Sequence, residues 1–286
     1  MKIMKAAKFK DPEIQKKYED YGYAHLKGVL EPSDIEELKY LFDMHYNYQG
    51  EDASLWNSLC DIPHDNSAKL SNLILRIVKP KLEKHLKDYV CPAATFLVKN
   101  PNPKSTVTLH RDFSVQDEPD FSYQNIWLPV VDTTPENGQL YVLKRSHKFF
   151  DYPLPHNTVW PYLEHEDLFG DYCDVIDAKA GDLIVYGDKV LHGSSDNLTD
   201  KPRPVVHFGL LHPEAKLYYH YLNDKTNEVT VYEVPYSFFF ENAWGNQDGR
   251  FPIFKKFMYE PPKYSRDQIE DWLKENAVES ESKALI

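Results

Sequence analysis

Two histidines and one aspartate in this chain have the residue types and spacings of a metal site. His110 and Asp112 lie two positions apart in VTLHRD (107–112), and His192 follows 82 residues later in KVLHGSS (189–195). Alternate residues of a strand point to the same side, so His110 and Asp112 can both face a barrel interior that a strand carrying His192 closes. Two histidines and one carboxylate on one face of the ion are the ligands of non-haem iron(II) oxygenases.

A second pair with the same spacing shows that the pattern alone is weak evidence. His165 and Asp167 stand in YLEHEDLFGDY (162–172), which has no strand alternation. The chain has 12 histidines and many aspartates, so about one such match is expected by chance. We therefore expect this second pair to be solvated.

An arginine eleven positions beyond His192 adds a second kind of evidence. Arg203 begins the apolar segment RPVVHFGLL (203–211). A buried guanidinium needs a partner, and its rigid fork suits a carboxylate. That partner is either a protein carboxylate or the far carboxylate of a small diacid bound beside a metal, with help from a hydroxyl such as Ser194.

The first part of the chain is predicted to be helical. Asp11 followed by Pro12 is a typical helix start. Residues 31–46 and 66–89 repeat apolar side chains at helical spacing. Pro80 is expected to kink or split the second of these helices, because proline lacks a backbone donor.

From residue 91 the chain changes to short segments rich in β-branched and aromatic residues. Such segments, divided by Pro, Gly, Asn and Asp, predict a sandwich, barrel or jelly roll over residues 91–235, with an insert at 148–172. Ser265 and Gln268 form a capping box that begins a final helix.

We expect one domain over residues 1–286, because no repeat, low-complexity tract or long linker divides the chain. Residues 1–90 are predicted to be mainly helical support, 91–235 the β core and 236–286 a C-terminal extension. The expected class is α+β with a mainly β core, flanked by N-terminal helices and a C-terminal helix. The last eight residues, ESESKALI, are expected to fray.

Composition excludes several kinds of partner. The net charge of −12 and the lack of a basic block argue against nucleic acid and anionic membranes. The N-terminal segment has no apolar core, which argues against a secretory signal, and no window is long and apolar enough to cross a bilayer. Three scattered cysteines are typical of reduced thiols, expected here as small buried hydrophobes in a cytoplasmic protein.

Four segments together resemble the phytanoyl-CoA dioxygenase family of Fe(II)/2-oxoglutarate oxygenases, over roughly residues 15 to 212. They are LHRD (109–112), NIWLPVVDTTPENGQLYVLKRSH (125–147), AGDLIVYGDKVLHGSSDN (180–197) and RPVVHFGLL (203–211). The resemblance implies a double-stranded β-helix (jelly roll, cupin-like) in which His110, Asp112 and His192 hold iron.

The resemblance also implies the cosubstrate and the reaction. Arg203 would bind the distal carboxylate of 2-oxoglutarate, Ser194 would assist, and Trp127 would line the cosubstrate pocket. Oxidative decarboxylation of 2-oxoglutarate by O2 would then be coupled to hydroxylation of an unactivated C–H bond of a small molecule, with release of succinate and CO2.

The sequence departs from the family pattern at two places. Arg111 stands between the ligands, where the family often has Gln, and KRSH (144–147) replaces PGSH. We expect His147 to be a structural hydrogen-bonding residue. Asp112 itself discriminates within the class, because related halogenases have a small residue there; a carboxylate favours hydroxylation or another oxidation without halide.

The substrate is left open by the sequence, as is the oligomeric state. Lys99, Arg111 and Arg145 could meet an anionic substrate, or they could be ordinary surface charges. The insert and the aromatic run YSFFFENAW (236–244) could cover an apolar ligand, or the phenylalanines could cover a sheet.

Two rival functions fit the same ligand pattern. One is a non-catalytic cupin-like protein that binds a metal or a small ligand. The other is a zinc-bound hydrolase or isomerase on the same scaffold. Succinate formation and iron dependence distinguish the oxygenase from both.

Overall fold

The computed structural model describes residues 6–47, 54–116, 120–158, 160–241 and 244–276, so the tail predicted to fray lies outside the described residues. The helices are α1 (Pro12–Tyr21), α2 (Pro32–His45), α3 (His64–His85), α4 (Ser146–Phe149) and α5 (Arg266–Asn276). The strands are β1 (Lys8–Phe9), β2 (Tyr23–Leu26), β3 (Leu55–Asn57), β4 (Leu86–Lys87), β5 (Thr95–Lys99), β6 (Val107–His110), β7 (Gln124–Pro129), β8 (Leu140–Leu143), β9 (Cys173–Val175), β10 (Leu183–Gly187), β11 (His192–Ser194), β12 (Arg203–Leu210), β13 (Tyr218–Asn223), β14 (Glu228–Glu233) and β15 (Ile253–Met258).

Two antiparallel sheets contain the eight strands β5 to β12. One sheet has six strands in the order β2-β10-β7-β12-β5-β3, and the other has four in the order β6-β11-β8-β9. The chain passes from one sheet to the other at nearly every connection between β5 and β12. Strands distant in sequence, such as β6 and β11, therefore become neighbours.

The space between the two sheets is filled by alternate residues of each strand. Trp127 of β7, Ile184 of β10 and Val205 of β12 belong to one buried apolar cluster with Leu140 and Val142 of β8. The period of two in each strand sends the intervening residues to the other face. Polar side chains at inward positions of these strands are therefore surrounded by apolar side chains.

The outer face of the six-stranded sheet packs against the N-terminal helices. Val206 and Phe208 of β12 join Leu38 of α2 and Leu70 and Ile74 of α3 in the largest core cluster. The predicted helices are confirmed, including the cap in which Asp11 accepts the backbone N–H of Glu13.

Of the two outcomes predicted for Pro80, a kink or a split, the split is wrong, because α3 continues as one helix through that proline to His85. Pro80 and its neighbour Lys79 are exposed while Val78 and Leu82 are buried, so packing on either side of the proline holds the helix against the sheet.

The insert at 148–172 packs on the four-stranded sheet together with α5. Phe150 and Phe169 of the insert share a buried cluster with Tyr141 of β8 and with Ile269 and Leu273 of α5. Burying an apolar side chain of this size contributes about 1.5–3 kcal/mol. The predicted capping box of α5 is confirmed, since Ser265 and Gln268 exchange backbone and side-chain hydrogen bonds.

A third sheet, in the order β13-β14-β15, extends the β structure beyond the boundary predicted at residue 235. β15 was not predicted, and β2 and β3 from the helical part add strands to the six-stranded sheet. The prediction of a mixed protein with a mainly β core and flanking helices is otherwise confirmed. Within the described ranges no helix has the length and apolar character to span a membrane.

The three cysteines are unpaired, as predicted. Cys173 is buried, whereas Cys60 is exposed, so the expected burial is wrong for Cys60. Cys91 is partly buried, and burial raises the pKa of its thiol to about 12, which keeps it protonated and unreactive.

Candidate metal centre

The three predicted metal ligands come together at the ends of two paired strands. His110 ends β6 and is the register partner of His192, which begins β11. The imidazole rings lie 4.4 Å apart between centroids. One ligand atom from each of His110, Asp112 and His192 lies within 4.8 Å of the others. The predicted convergence of these side chains from distant segments is thus present.

Hydrogen bonds fix which nitrogen of each imidazole faces the centre. His110 Nδ1 lies 2.8 Å from the carbonyl oxygen of Thr108, and His192 Nδ1 lies 2.9 Å from that of Val190. A carbonyl only accepts, so each Nδ1 carries the proton and each Nε2 keeps a free lone pair. Fixing the tautomer from behind in this way is the usual arrangement of metal-binding histidines.

The carboxylate of Asp112 is held by a neighbouring strand. Asn125 on β7 donates its side-chain amide to Asp112 Oδ2 over 2.6 Å. The same oxygen lies 3.9 Å from His192 Nε2. This distance is long for a direct hydrogen bond and suits two ligands that share one ion.

Burial sets the charge of the second histidine. His192 is 6% exposed, and burial lowers its pKa to about 4, although the Asp112 carboxylate acts in the opposite direction. A neutral imidazole is the form that binds a metal. His192 therefore presents a neutral nitrogen to the centre.

Arg203 begins β12 and faces the same interior, where it is 3% exposed. Its guanidinium carbon lies 5.2 Å from the centroid of Trp127 on β7. Its Nε has no hydrogen-bond partner, and within the described segments no carboxylate forms an ion pair with it. Burial lowers its pKa to about 10, so the group remains cationic. The salt bridge to a protein acid that the sequence left open is absent from the described residues.

Ser194 lies two residues beyond His192 on β11 and is also buried. Its backbone carbonyl accepts a hydrogen bond from Lys99 Nζ over 3.1 Å, and Ser105 and Ser195 supply two further carbonyls to the same ammonium. Lys99 pairs in register with Arg203, and burial, with the arginine's charge, lowers the lysine pKa to about 7. Lys99 thus supports the strand end that carries Ser194.

A cavity of about 400 Å³ has Asp112 in its lining. Asp112, Asn125 and His207 form its polar end, and the rest of the described lining is mostly apolar or aromatic. Phe239 and Trp244 of 236–244 contribute to the wall, whereas Phe238 packs with Tyr219 of β13, so each of the two alternatives left open by the sequence describes part of this run.

Asn125 and His207 were missed by the sequence analysis. Asn125 is two positions before Trp127, and His207 is four positions after Arg203, so strand periodicity places each on the same inward face as the predicted residue. His207 Nε2 lies 3.4 Å from the hydroxyl of Tyr186. That periodicity is the signal that could have found them.

Other charged or polar residues considered in the sequence lie outside the centre. His147 is mostly buried and its Nε2 lies 3.4 Å from a backbone carbonyl, consistent with the structural role predicted for it. Arg111 is 1% exposed and donates to the carbonyls of Phe150 and Tyr152. Arg145 pairs with Asp20. Lys99 and Arg111 are therefore neither surface charges nor groups placed to contact an anionic substrate.

Comparisons with known proteins bear on this arrangement. Residues 18–205 match the family model described as phytanoyl-CoA dioxygenase (PhyH). Among curated protein sequences, none matches the chain.

Solved structures similar to this chain share its fold at low sequence identity. HygX from Streptomyces hygroscopicus, with nickel, 2-oxoglutarate and hygromycin B bound, is 13% identical, with 71% of this chain and 88% of that chain covered and a TM-score of 0.54. The epimerase SnoN from nogalamycin biosynthesis is 16% identical, with 88% and 100% covered and a TM-score of 0.52. AviO1 from Streptomyces viridochromogenes Tue57 is 19% identical, with 71% and 96% covered and a TM-score of 0.50.

The family model spans most of the chain, including His110, Asp112, His192 and Arg203. The chain therefore belongs to the phytanoyl-CoA dioxygenase family and is a 2-oxoglutarate-dependent non-haem iron oxygenase.

Proposed function

We propose that this enzyme hydroxylates an unactivated C–H bond of a small molecule, using Fe(II), 2-oxoglutarate and O2 and releasing succinate and CO2. One observation carries the proposal. Three ligand atoms lie within 4.8 Å of one another, and a buried, unpaired arginine faces the same interior. A metal and a diacid can therefore be bound side by side.

The donor set fits iron(II). Two neutral imidazole nitrogens and one carboxylate form the facial triad of non-haem iron oxygenases, with the remaining positions open to cosubstrate and O2. In our proposal His110, Asp112 and His192 are these ligands. Bound iron supplies the O2 chemistry that decarboxylates 2-oxoglutarate and oxidises the C–H bond, while the protein supplies ligation, orientation and exclusion of water.

Arg203 supports the assignment of the cosubstrate. The buried cation has no protein carboxylate within reach in the described residues, and a diacid would supply the missing charge. Trp127 holds the guanidinium from one side. We assign the distal carboxylate of 2-oxoglutarate to Arg203, with the Ser194 hydroxyl as an additional donor and Trp127 as a wall of the pocket.

The cavity supports a small-molecule substrate. Asp112 contributes to its lining whereas Arg203 and Trp127 do not, so a molecule bound in it would lie beside the proposed metal without filling the proposed cosubstrate pocket. A largely apolar wall excludes water from the reacting C–H bond. The carboxylate at position 112 occupies the place that related halogenases leave open for halide, which favours hydroxylation.

We infer that β5 to β12 form a double-stranded β-helix. The two sheets run β10-β7-β12-β5 and β6-β11-β8-β9, and the strands of both contribute to one interior cluster. In this architecture, the jelly roll, eight strands form two facing antiparallel sheets. The metal ligands lie at one end of that interior, and we regard residues 1–286 as a single oxygenase domain.

Succinate formation tests the proposed reaction. The protein is loaded without oxygen with Fe(II), 2-oxoglutarate and ascorbate, mixed with a library of small metabolites, and then exposed to O2. We expect succinate above the no-enzyme control, increased further by a true substrate, and loss of both signals when Zn(II) replaces Fe(II). Turnover with Zn(II) alone, or no succinate under any condition, would contradict the proposal.

A further inference from the structure

The cavity beside Asp112 has almost no charge in its wall. Of its described lining residues none is Lys, Arg or Glu, and Asp112 is the single carboxylate. That carboxylate faces the proposed metal. The remaining wall is supplied chiefly by apolar and aromatic side chains, including Leu59, Phe113, Val115, Leu211, Phe239 and Trp244.

Two buried cations of the β core, Lys99 and Arg111, are already engaged, and Arg203 is assigned to the cosubstrate in our proposal. Lys99 Nζ bonds to three backbone carbonyls, and Arg111 bonds to the carbonyls of Phe150 and Tyr152. An anion in the cavity would lose its hydration without gaining a counter-ion, which is costly. A cation in the cavity would also lack a counter-ion of its own, because the single carboxylate of the wall, Asp112, would be shared with the metal.

His156 of the insert supplies the cavity with a defined polar group. Its ring lies 5.3 Å from that of Phe113 and 5.8 Å from that of Trp244, both nearly parallel to it. The backbone N–H of His220 donates to His156 Nδ1 over 3.3 Å. Burial, with the nearby His220, lowers the His156 pKa to about 3, so the ring is neutral and its proton is on Nε2.

That Nε2 proton has no acceptor in the part of the chain that the structure describes. Several other polar side chains of the wall are paired: Asn125 with Asp112, Thr95 with Asn57, Tyr123 with the carbonyl of Phe113, and His207 with Tyr186. Leaving a buried donor unsatisfied costs free energy that a bound acceptor would recover. His156 is therefore ready to select a ligand that carries an acceptor.

We propose, building on the function inferred above, that the substrate is an uncharged, largely apolar small molecule whose oxygen acceptor takes the Nε2 hydrogen of His156. Its size is limited by a cavity of about 400 Å³, near the lower end for small-molecule sites. His156 is then a specificity-determining residue. Anionic thioesters and polycationic sugars are excluded by the same wall.

Three bicyclic probes of similar size test the proposal: coumarin, which is neutral with a carbonyl acceptor; naphthalene, which has none; and coumarin-3-carboxylate, which is an anion. Binding is measured by equilibrium dialysis under nitrogen with the Fe(II)- and 2-oxoglutarate-loaded protein. We expect coumarin to bind roughly fivefold more tightly than naphthalene and at least about tenfold more tightly than the anion.

Three variants at two positions locate the binding. His156→Phe should remove the preference for coumarin over naphthalene, and His156→Gln, which keeps a donor, should restore part of it. Gly209→Leu should weaken both neutral probes, because Gly209 lines the cavity and a Cβ there meets its first neighbour, Tyr123, at 3.7 Å, leaving room for a side chain. Leu198→Ala, at a side chain 66% exposed, is the matched control.

Three outcomes overturn the proposal: no saturable coumarin binding, equal binding of the anion, or a coumarin preference that survives in the His156→Phe protein. If that variant does not fold, the Gly209→Leu comparison decides whether the probes bind in this cavity. Substrate-free succinate formation is measured on the same proteins. If the wild type forms no succinate, the proposed reaction is refuted. If it forms succinate but binds the three probes equally, only the proposed substrate class is refuted.

Discussion

The chain contains two His-X-Asp segments, and the structure gives them different environments. His110 and Asp112 lie at the end of β6, where β11 brings His192 to the same point. His165 and Asp167 lie in a 3₁₀ segment on the insert, and Asp167 forms an exposed bidentate pair with Arg266. The spacing brings candidate ligands together here because His110 ends β6, Asp112 follows directly after the strand, and a second strand, β11, supplies His192.

The two segments also differ in what surrounds the carboxylate. Asp112 is held by the neutral amide of Asn125, while the arginine of its region, Arg203, stays unpaired. Asp167 is neutralised by its own arginine at the surface. The candidate metal site thus has an unpaired buried charge nearby, whereas the decoy segment, His165–Asp167, carries a charge pair at the surface.

Replacing each aspartate in turn should give the largest contrast. Asp112→Ala removes one of three metal ligands, so we expect 2-oxoglutarate turnover below about 1% of wild type, since even losing a partner of a ligand costs roughly 10–100-fold. Asp167→Ala should keep full activity and an unchanged melting temperature. Succinate assays and thermal melts measure both; comparable losses in the two variants would remove the distinction between the segments.

The two arginines extend the comparison to the cosubstrate. Arg203→Met should raise the KM for 2-oxoglutarate by roughly 30-fold or more with a smaller effect on kcat, because a buried charged hydrogen bond is lost. Since Arg203 Nε has no hydrogen-bond partner and the guanidinium forms no ion pair in the described residues, while methionine can still pack on Trp127, the unliganded variant should melt no lower than wild type.

A thermal-shift titration with 2-oxoglutarate checks this without turnover, because the wild type should be stabilised by the ligand and the Arg203→Met protein much less. Arg266→Met is the matched control and should change neither value. An unaltered response to 2-oxoglutarate in the Arg203 variant would move the cosubstrate carboxylate to another residue.

Much of the site follows from the sequence, and the reason is strand periodicity. His110 and Asp112 were predicted from a period of two, His192 from a later strand returning to the same point, and Arg203 from its place in an apolar segment, while the family resemblance implied their roles. Their roles remain predictions, although their convergence is now observed.

What the sequence did not predict depends on contacts between distant segments. Strand β15 joins the third sheet through its pairing with β14, which its own residue pattern does not indicate. Pro80 did not end α3, because packing on both sides outweighs one lost hydrogen bond. The hydrogen-bond partners of Lys99 and His156 come from residues far along the chain, and no spacing rule finds them.

Replacing Asn125, the residue that holds the Asp112 carboxylate, should have a smaller, measurable effect. Asn125→Ala removes the amide that holds Asp112, and we expect roughly 10–100-fold weaker Fe(II) binding with the fold retained. Asn125→Asp, which places a second carboxylate beside the first, should be no better. Anaerobic metal titration gives the affinity; wild-type binding in the alanine variant would show that Asp112 needs no second residue to orient it.

The smallest effect concerns Glu166, the middle residue of the decoy segment, which contacts β6, the strand that ends at His110. Glu166 Oε1 accepts the backbone N–H of Leu109 over 2.8 Å, and Leu109 itself is fully buried next to His110. Glu166→Ala leaves that N–H without its partner and should lower the free energy of unfolding by about 1–3 kcal/mol.

Glu166→Gln keeps an acceptor at the same position and should recover most of this stability, while His165→Ala, beside it, should have little effect. Urea denaturation of the three variants measures the differences. If Glu166→Ala is as stable as His165→Ala, the insert does not brace β6; if it is less stable, the decoy segment contributes to the iron site through its glutamate and not through the residues that imitate ligands.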